Sequence, residues 1–218
     1  MIQHIKPEVE TTYDDIGRLY KIDRNYYYSV TSVLSATSDK SSIDVWRERI
    51  GENEADKITK NACNTGEGFH QKCENYLLNE PSPKKSFLVE KLFKECKPIL
   101  DKYIDYTFAT EIVLWSHVAR IAGRADAVVS WRGEPVVLDY KCINNNDPRF
   151  LGDYWIQLTM YAMCIREMFG VNIKKLILVT ASKRNLSCTS FESPTRFHLD
   201  ETIKRIKKFR EIMKDARA

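Results

Sequence analysis

Asp126, Asp139 and Lys141 put two carboxylates and an amine within sixteen residues of one another. Each aspartate sits in a β-branched, partly alternating run, Ile121–Trp131 for the first and Pro135–Cys142 for the second. Arg132, Gly133 and Glu134 between the runs read as a hairpin turn, so the two carboxylates should lie side by side on neighbouring strands. Lys141, two residues past Asp139, shares its face. Such a group makes a poor core, because like charges repel and each buried ion costs several kcal/mol to desolvate. A divalent cation resolves the conflict. Hard oxygen donors suit Mg²⁺, with Mn²⁺ as a substitute, and water and a substrate phosphate would fill the remaining positions. Such a cation polarises a phosphoryl oxygen and lowers the pKa of a bound water for in-line attack. Without it, Lys141 beside two acids should have a raised pKa, which suits water positioning and charge stabilisation better than work as a neutral base.

Two flanking segments point polar groups at the same place. Thr65-Gly66-Glu67-Gly68-Phe69-His70 with Glu74 puts His70 and Glu74 at i and i+4 on one helix face, and the paired glycines would let another backbone approach. Gln157 and Tyr161 repeat that spacing on the helix after Lys141. Each signal has a plain structural reading as well. A lone D-x-K is common surface charge at a strand end, a helix histidine is often only hydrogen-bonded, and an i, i+4 polar pair is often a helix edge. Glu111 reads as solvent-facing, with a further site acid as the alternative. Arg124 would contact phosphate or pair with a surface acid. Arg24 with Tyr26, Tyr27 and Tyr28, followed by Ser29, Thr31 and Ser32, could stack bases and donate to phosphates, though much of that aromatic surface should be packing. Lys204, Arg205, Lys207, Lys208 and Arg210 read as the solvated face of the last helix, with a DNA-facing role as the alternative.

Periodicity indicates the strands and helices that carry these residues. Arg18–Asp23 is strand-like, and Tyr26–Leu34 leads into a helix capped by Ser42 that carries Ile43, Trp46 and Ile50. Residues 52–78 and a stretch from Phe87 to Tyr103 are helical by their apolar spacing. Three strands follow, Thr107–Ser116 being the first, then a helix over Gly152–Met168, strands at Lys175–Thr180 and Cys188–Phe191, and a closing helix capped by Asp200. This order implies an α/β fold with a mixed central sheet flanked by helices, in which one helix crosses over between strands. One domain over 1–218 is expected, with residues 1–50 as a helical N-terminal elaboration and 52–218 as the core.

Composition narrows the classes further. A formal net charge of +4 is too mild to mark a nucleic-acid binder, so any DNA contact must come from local clustering of cations. Six cysteines form no CxxC pair, so they read as buried thiols in a reducing compartment. No apolar run has the length of a signal peptide or a membrane span, so a cytoplasmic protein with no membrane contact is expected. No G-x-S-x-G elbow suggests acyl-transfer chemistry.

GRADAVV, VVLDYK and QLTMY, with TGEGFHQKCE ahead of them, make the resemblance specific. Over about Tyr26 to Ile165 the chain resembles the RecB-type branch of the PD-(D/E)XK nucleases, whose pattern runs G-x-x-H-x-x-x-E, G-x-x-D, D-x-K and Q-x-x-x-Y in that order. SVTSVL ahead of Trp46 is also similar to the mitochondrial genome maintenance exonucleases and related phage exonucleases. The resemblance implies a restriction-endonuclease-like core. It implies that His70, Asp126 and Asp139, with the carbonyl of Tyr140, are metal ligands, that Lys141 is the catalytic lysine, and that Gln157 and Tyr161 shape the site and hold the DNA strand. The family's Pro-Asp is here Ala125-Asp126, which keeps the carboxylate. Some relatives carry a four-cysteine iron-sulfur cluster; this chain lacks the closely spaced C-terminal cysteines, so none is expected. The implied activity is a Mg²⁺-dependent exonuclease preferring single-stranded DNA ends, as a monomer in a bacterial or phage-infected cell. The alternatives are a catalytically idle nucleic-acid-binding module of the same fold, an endonuclease, or another metal-dependent phosphoesterase.

Overall fold

The structure is a computed structural model and describes residues 8–144 and 147–216. Three strands open the chain, β1 (Val9–Tyr13), β2 (Arg18–Ile22) and β3 (Asn25–Ser29), followed by helices α1 (Val30–Thr37), α2 (Ser41–Ile50), α3 (Glu52–Leu77) and α4 (Phe87–Tyr103). Then come β4 (Ile104–Ser116), β5 (Ile121–Trp131), β6 (Glu134–Ile143), α5 (Gly152–Phe169), β7 (Lys175–Ser182), β8 (Ser187–Pro194) and α6 (Leu199–Asp215). All the strands join one eight-stranded sheet in the order β1-β2-β3-β5-β6-β7-β8, with β4 paired to β5 off that path. The fold is α/β with a mixed sheet: β3 runs parallel to β5, and β6 runs parallel to β7 through the α5 crossover, while the other pairs are antiparallel.

Helices cover both faces. On one side Leu158, Met160, Cys164 and Ile165 of α5 pack with Val30 and Val33 of α1 and Phe209 of α6 over Val128, Val137 and Leu178. On the other, Phe69 and Cys73 of α3 and Leu92, Cys96 and Leu100 of α4 pack over Val129, Trp131, Leu138 and Tyr140. Sheet strands buried on both faces explain the near-continuous apolar runs VVL in β6 and LILV in β7. The turn between β5 and β6 is two residues long, and Arg132 (φ 50) and Gly133 (φ 82) both take the left-handed conformation that matches the twist of a tight hairpin.

The N-terminal segment differs from the helical elaboration expected of it. It brings three strands to the sheet besides α1 and α2, because Tyr20, Ile22 and Tyr27 bury themselves against Val113 and Ala122. Ser42 lies inside α2, whose N-cap is Lys40, and the serine that caps a helix here is Ser29, whose side chain accepts from the Ser32 N–H. Asp200 is in the first turn of α6 rather than at its cap, which His198 occupies; there a carboxylate still faces the positive end of the helix dipole. Among the described residues no helix is long and apolar enough to cross a membrane.

Candidate active site

The sheet is split where Asp126 lies. On one edge β5 pairs with β3 only at Ile121 and Ala122 and with β6 only from Ala127 onward, so residues 123–126 face neither strand. On the other edge every β5 residue has a β4 partner except Asp126. The register between Thr110↔Ala127 and Ile112↔Ala125 sets Glu111 opposite it, and Glu111 is turned out of the ladder with φ 46. A non-glycine residue in that conformation inside a strand is strained, and such strain gathers at functional sites. One step past the last registered pair of β5 and β6, Ala127↔Leu138, the antiparallel register sets Asp139 level with Asp126 on the neighbouring strand. Three carboxylates from three adjacent strands thus stand in a row across the opening.

Their neighbours come from both helical layers. From α3, His70 Nδ1 lies 3.2 Å from Asp126 Oδ2, and its ring meets the edge of the Tyr140 ring at 5.8 Å. The Tyr140 N–H donates to the same Asp126 oxygen at 2.7 Å. From α5, Gln157 Nε2 donates to Asp139 Oδ1 at 3.1 Å and to Tyr161 Oη at 3.2 Å. Tyr161 in turn lies against Gly123, where an added Cβ would stand 2.7 Å from Tyr161 Cε1. The glycine of the GRAD segment is thereby explained: it lets an α5 side chain enter the split. Lys141 forms an ion pair with Asp139 Oδ2 and sits 5.0 Å above the Tyr154 ring. That carboxylate oxygen is buried, and the Lys141 ammonium is the charge set against it.

Charge is crowded here. Burial works against the Asp126 carboxylate, yet His70, Lys141 and the Tyr140 N–H outweigh it and hold its pKa below the ordinary range. Asp139 goes the other way: burial and the charge of Asp126 overcome Lys141 and push it up to about 6. Burial opposes the charged forms of His70 and Lys141, but the two aspartates prevail and raise both. Lys141 and Asp139 therefore do not shift as an isolated pair would, because the aspartate also answers to burial and to Asp126. Glu111 is pushed up to about 7 by partial burial, Asp126 and Glu74.

The structure brings His70, Asp126, Asp139, Tyr140, Lys141, Gln157 and Tyr161 together. Glu74 borders the same place, accepting from Thr110 Oγ1 at 3.4 Å. Glu111 corrects the sequence expectation of a solvent-facing acid, since it faces Asp126 and holds Arg124 Nη1 at 3.6 Å. The signal available for it was only its place on the strand before Asp126. Ser29 and Ser32 are not surface donors as expected: both are buried, Ser29 Oγ capping α1 and Ser32 Oγ accepting from the Arg18 N–H at 2.8 Å. Thr31 is exposed, with its hydroxyl between Ser29 and Arg18. Of the tyrosine run, Tyr27 and Tyr28 are buried and Tyr26 is half exposed. The basic residues of α6 are not merely a solvated face, because Arg205 pairs with Asp153 and Lys208 donates to the Thr37 carbonyl, tying α6 to α1 and α5. No backbone approaches Gly66, and Gly68 faces the Val89 side chain.

The donor set is chemically suited to a hard divalent cation: the buried carboxylate of Asp139, the partly buried carboxylate of Asp126 and the imidazole of His70. As arranged, though, these groups are turned toward one another. Among the described residues no three His, Cys, Asp or Glu side chains are gathered to close around an ion.

No protein-family model matches the chain, and no curated protein matches its sequence. Among solved structures it is similar to the crystal structure of SSO0001 (17% identity, 48% of this chain and 49% of that one, TM-score 0.37), so it spans about half the length of that protein. It is also similar to the alkaline exonuclease LHK-Exo from Laribacter hongkongensis (10% identity, 87% and 89%, TM-score 0.46). The same enzyme in complex with dAMP matches at 11% identity over 68% and 87%, with a TM-score of 0.41. At these scores the likenesses are distant.

Proposed function

We propose that this protein is a metal-dependent nuclease that hydrolyses DNA phosphodiesters. The observation that carries the proposal is the convergence of Asp126, Asp139 and Lys141 in the split of the sheet, flanked by His70 and Gln157. So much buried negative charge is costly in a fold that needs only a core, and it suits a site that takes up a cation and then a phosphate.

His70, Asp126, Asp139 and the Tyr140 carbonyl would hold Mg²⁺, or Mn²⁺ in its place. Bound there, the ion supplies a polarised phosphoryl oxygen and a water of lowered pKa. The protein's own groups do the orienting. Gln157 fixes the plane of Asp139 through Oδ1, and Tyr161, wedged against Gly123, fixes Gln157. The Tyr140 N–H anchors one oxygen of Asp126. Lys141, whose pKa is raised, stays protonated near neutral pH, so its ammonium places a water and balances charge on the phosphate rather than accepting a proton. A preference for the free ends of single strands rests on the sequence resemblance alone.

The experiment is cleavage of linear and circular single strands, labelled at the 5′ or the 3′ end, with Mg²⁺ or with chelator. Metal-dependent shortening of the linear strand with the circle left intact is expected. Efficient cutting of the circle would remove the exonuclease claim, and cleavage of neither would remove the nuclease claim. The mutual engagement of the site's donors favours one rival, an idle nucleic-acid-binding module. DNA binding without cleavage under Mg²⁺ and Mn²⁺ would identify it.

A further inference from the structure

A groove of about 550 Å³ lies between the β2–β3 hairpin and the C-terminal half of α6, bordered by Ala119 and Arg120 in the turn before β5. Its lining includes Arg24, Arg120, Arg210 and Lys214 and no acid. Arg210 is engaged with the Val118 carbonyl at 2.7 Å. The other three cations are exposed, and none of them pairs with a carboxylate among the described residues. Arg120 has φ 59, a strained conformation for a residue with a side chain, and the resulting turn sets its guanidinium at the groove. The half-exposed ring of Tyr26 forms part of the wall, beside Phe209, which meets Tyr28 edge to face at 5.1 Å.

We propose that this groove binds single-stranded nucleic acid, with phosphates on Arg24, Arg120 and Lys214 and a base stacked on Tyr26. Cations spread along a groove beside an aromatic face form the arrangement that tracks a strand without reading its sequence. An acidic peptide would find the same charge but would make no particular use of the flat ring. The groove is also mechanically joined to the candidate active site. Tyr28↔Ile121 pairing fixes the hairpin to the start of β5, and Asp126 lies five residues further along that strand, about 17 Å away at about 3.3 Å per residue. The groove would thus hold a strand several nucleotides from the bond to be cut. This role rests on the nuclease reading, whereas the binding itself does not.

The test is fluorescence anisotropy with labelled oligo(dT) of about 16 nucleotides, in chelator so that nothing is cut, over a range of salt concentrations. Arg24→Gln, Arg120→Gln and Lys214→Gln together should weaken binding at least tenfold and flatten the slope of log K against log salt by about 2, as expected for three lost phosphate contacts on a single strand. Tyr26→Ala should weaken binding with the slope unchanged. Circular dichroism of each variant checks that exposed substitutions leave the fold intact. Unaltered affinity and slope in the folded triple variant would overturn the proposal. So would displacement of the oligonucleotide by polyglutamate more readily than by unlabelled oligo(dT), which would make the groove a peptide site. Loss of binding in the triple variant of a protein that never cuts DNA would keep the groove and discard the nuclease reading.

Discussion

Raising the pH should weaken this fold through Asp139. Its side chain is buried, and burial with Asp126 holds the carboxyl up to about 6 against an ordinary 3.8 despite Lys141. That gap corresponds to about 3 kcal/mol, at about 1.4 kcal/mol per pH unit. Because the folded value lies above the unfolded one, the stability linked to protonated Asp139 is complete below 3.8 and is lost as pH climbs through about 6. His70, also raised, acts in the same direction, and its share is lost as pH rises through its folded value. Asp126 has the opposite sign: its stabilisation is present above 3.8 and disappears only as pH falls through its lowered value, outside this window. Asp139→Asn no longer titrates, so comparing it with the wild type cancels most other groups. In chelator, the stability of the variant relative to the wild type should rise by about 3 kcal/mol between about pH 4 and about pH 8. For a chain of this size that is about 6–12 °C in the difference of melting temperatures. Urea denaturation at the same two pH values gives the free energies directly. A difference that stays flat across the range would refute the picture of a crowded, desolvated carboxyl.

Other perturbations test the parts around it. Gly123→Ala would put a methyl 2.7 Å from Tyr161 Cε1, so a stability loss of about 1–3 kcal/mol by urea denaturation and at least a tenfold drop in cleavage rate are expected; an unchanged rate would break the chain from Tyr161 through Gln157 to Asp139. Gln157→Leu leaves Asp139 Oδ1 without its donor and should cost about 1–3 kcal/mol at a pH where Asp139 is ionised, less in acid; equal cost at both would count against that hydrogen bond. Ser29→Ala removes the α1 cap and should cost about 1 kcal/mol while oligonucleotide affinity stays the same; a fall in affinity would reinstate Ser29 as a DNA contact.

What the sequence makes legible here is what depends on local period. β5 occupies Ile121–Trp131, the same bounds its alternation indicates, and α3, α4 and α5 lie where their apolar spacing puts them. The meeting of Asp126, Asp139 and Lys141 follows from a short hairpin and a two-residue period, both of which can be counted along the chain. What stayed hidden depends on partners far away. Glu111 faces Asp126 because one backbone angle flips out of the ladder, and an alternating pattern carries no sign of that. Ser29 and Ser32 have the side chains a phosphate site would use, and helix capping uses the same ones. Arg205 looks like surface charge until Asp153 is brought to it from another helix. Of the glycines, Gly66 faces open space and Gly123 receives Tyr161, a distinction that exists only once α5 is docked.

Cleavage of a labelled single strand by the wild type and by Lys141→Ala, measured with the affinity of each for that strand, decides whether Lys141 and a bound metal cut DNA here. The wild type should cut with Mg²⁺ and stop in chelator, and Lys141→Ala should bind the strand but leave it whole. Undiminished cutting by the variant, or wild-type cutting that persists in chelator, would contradict that assignment.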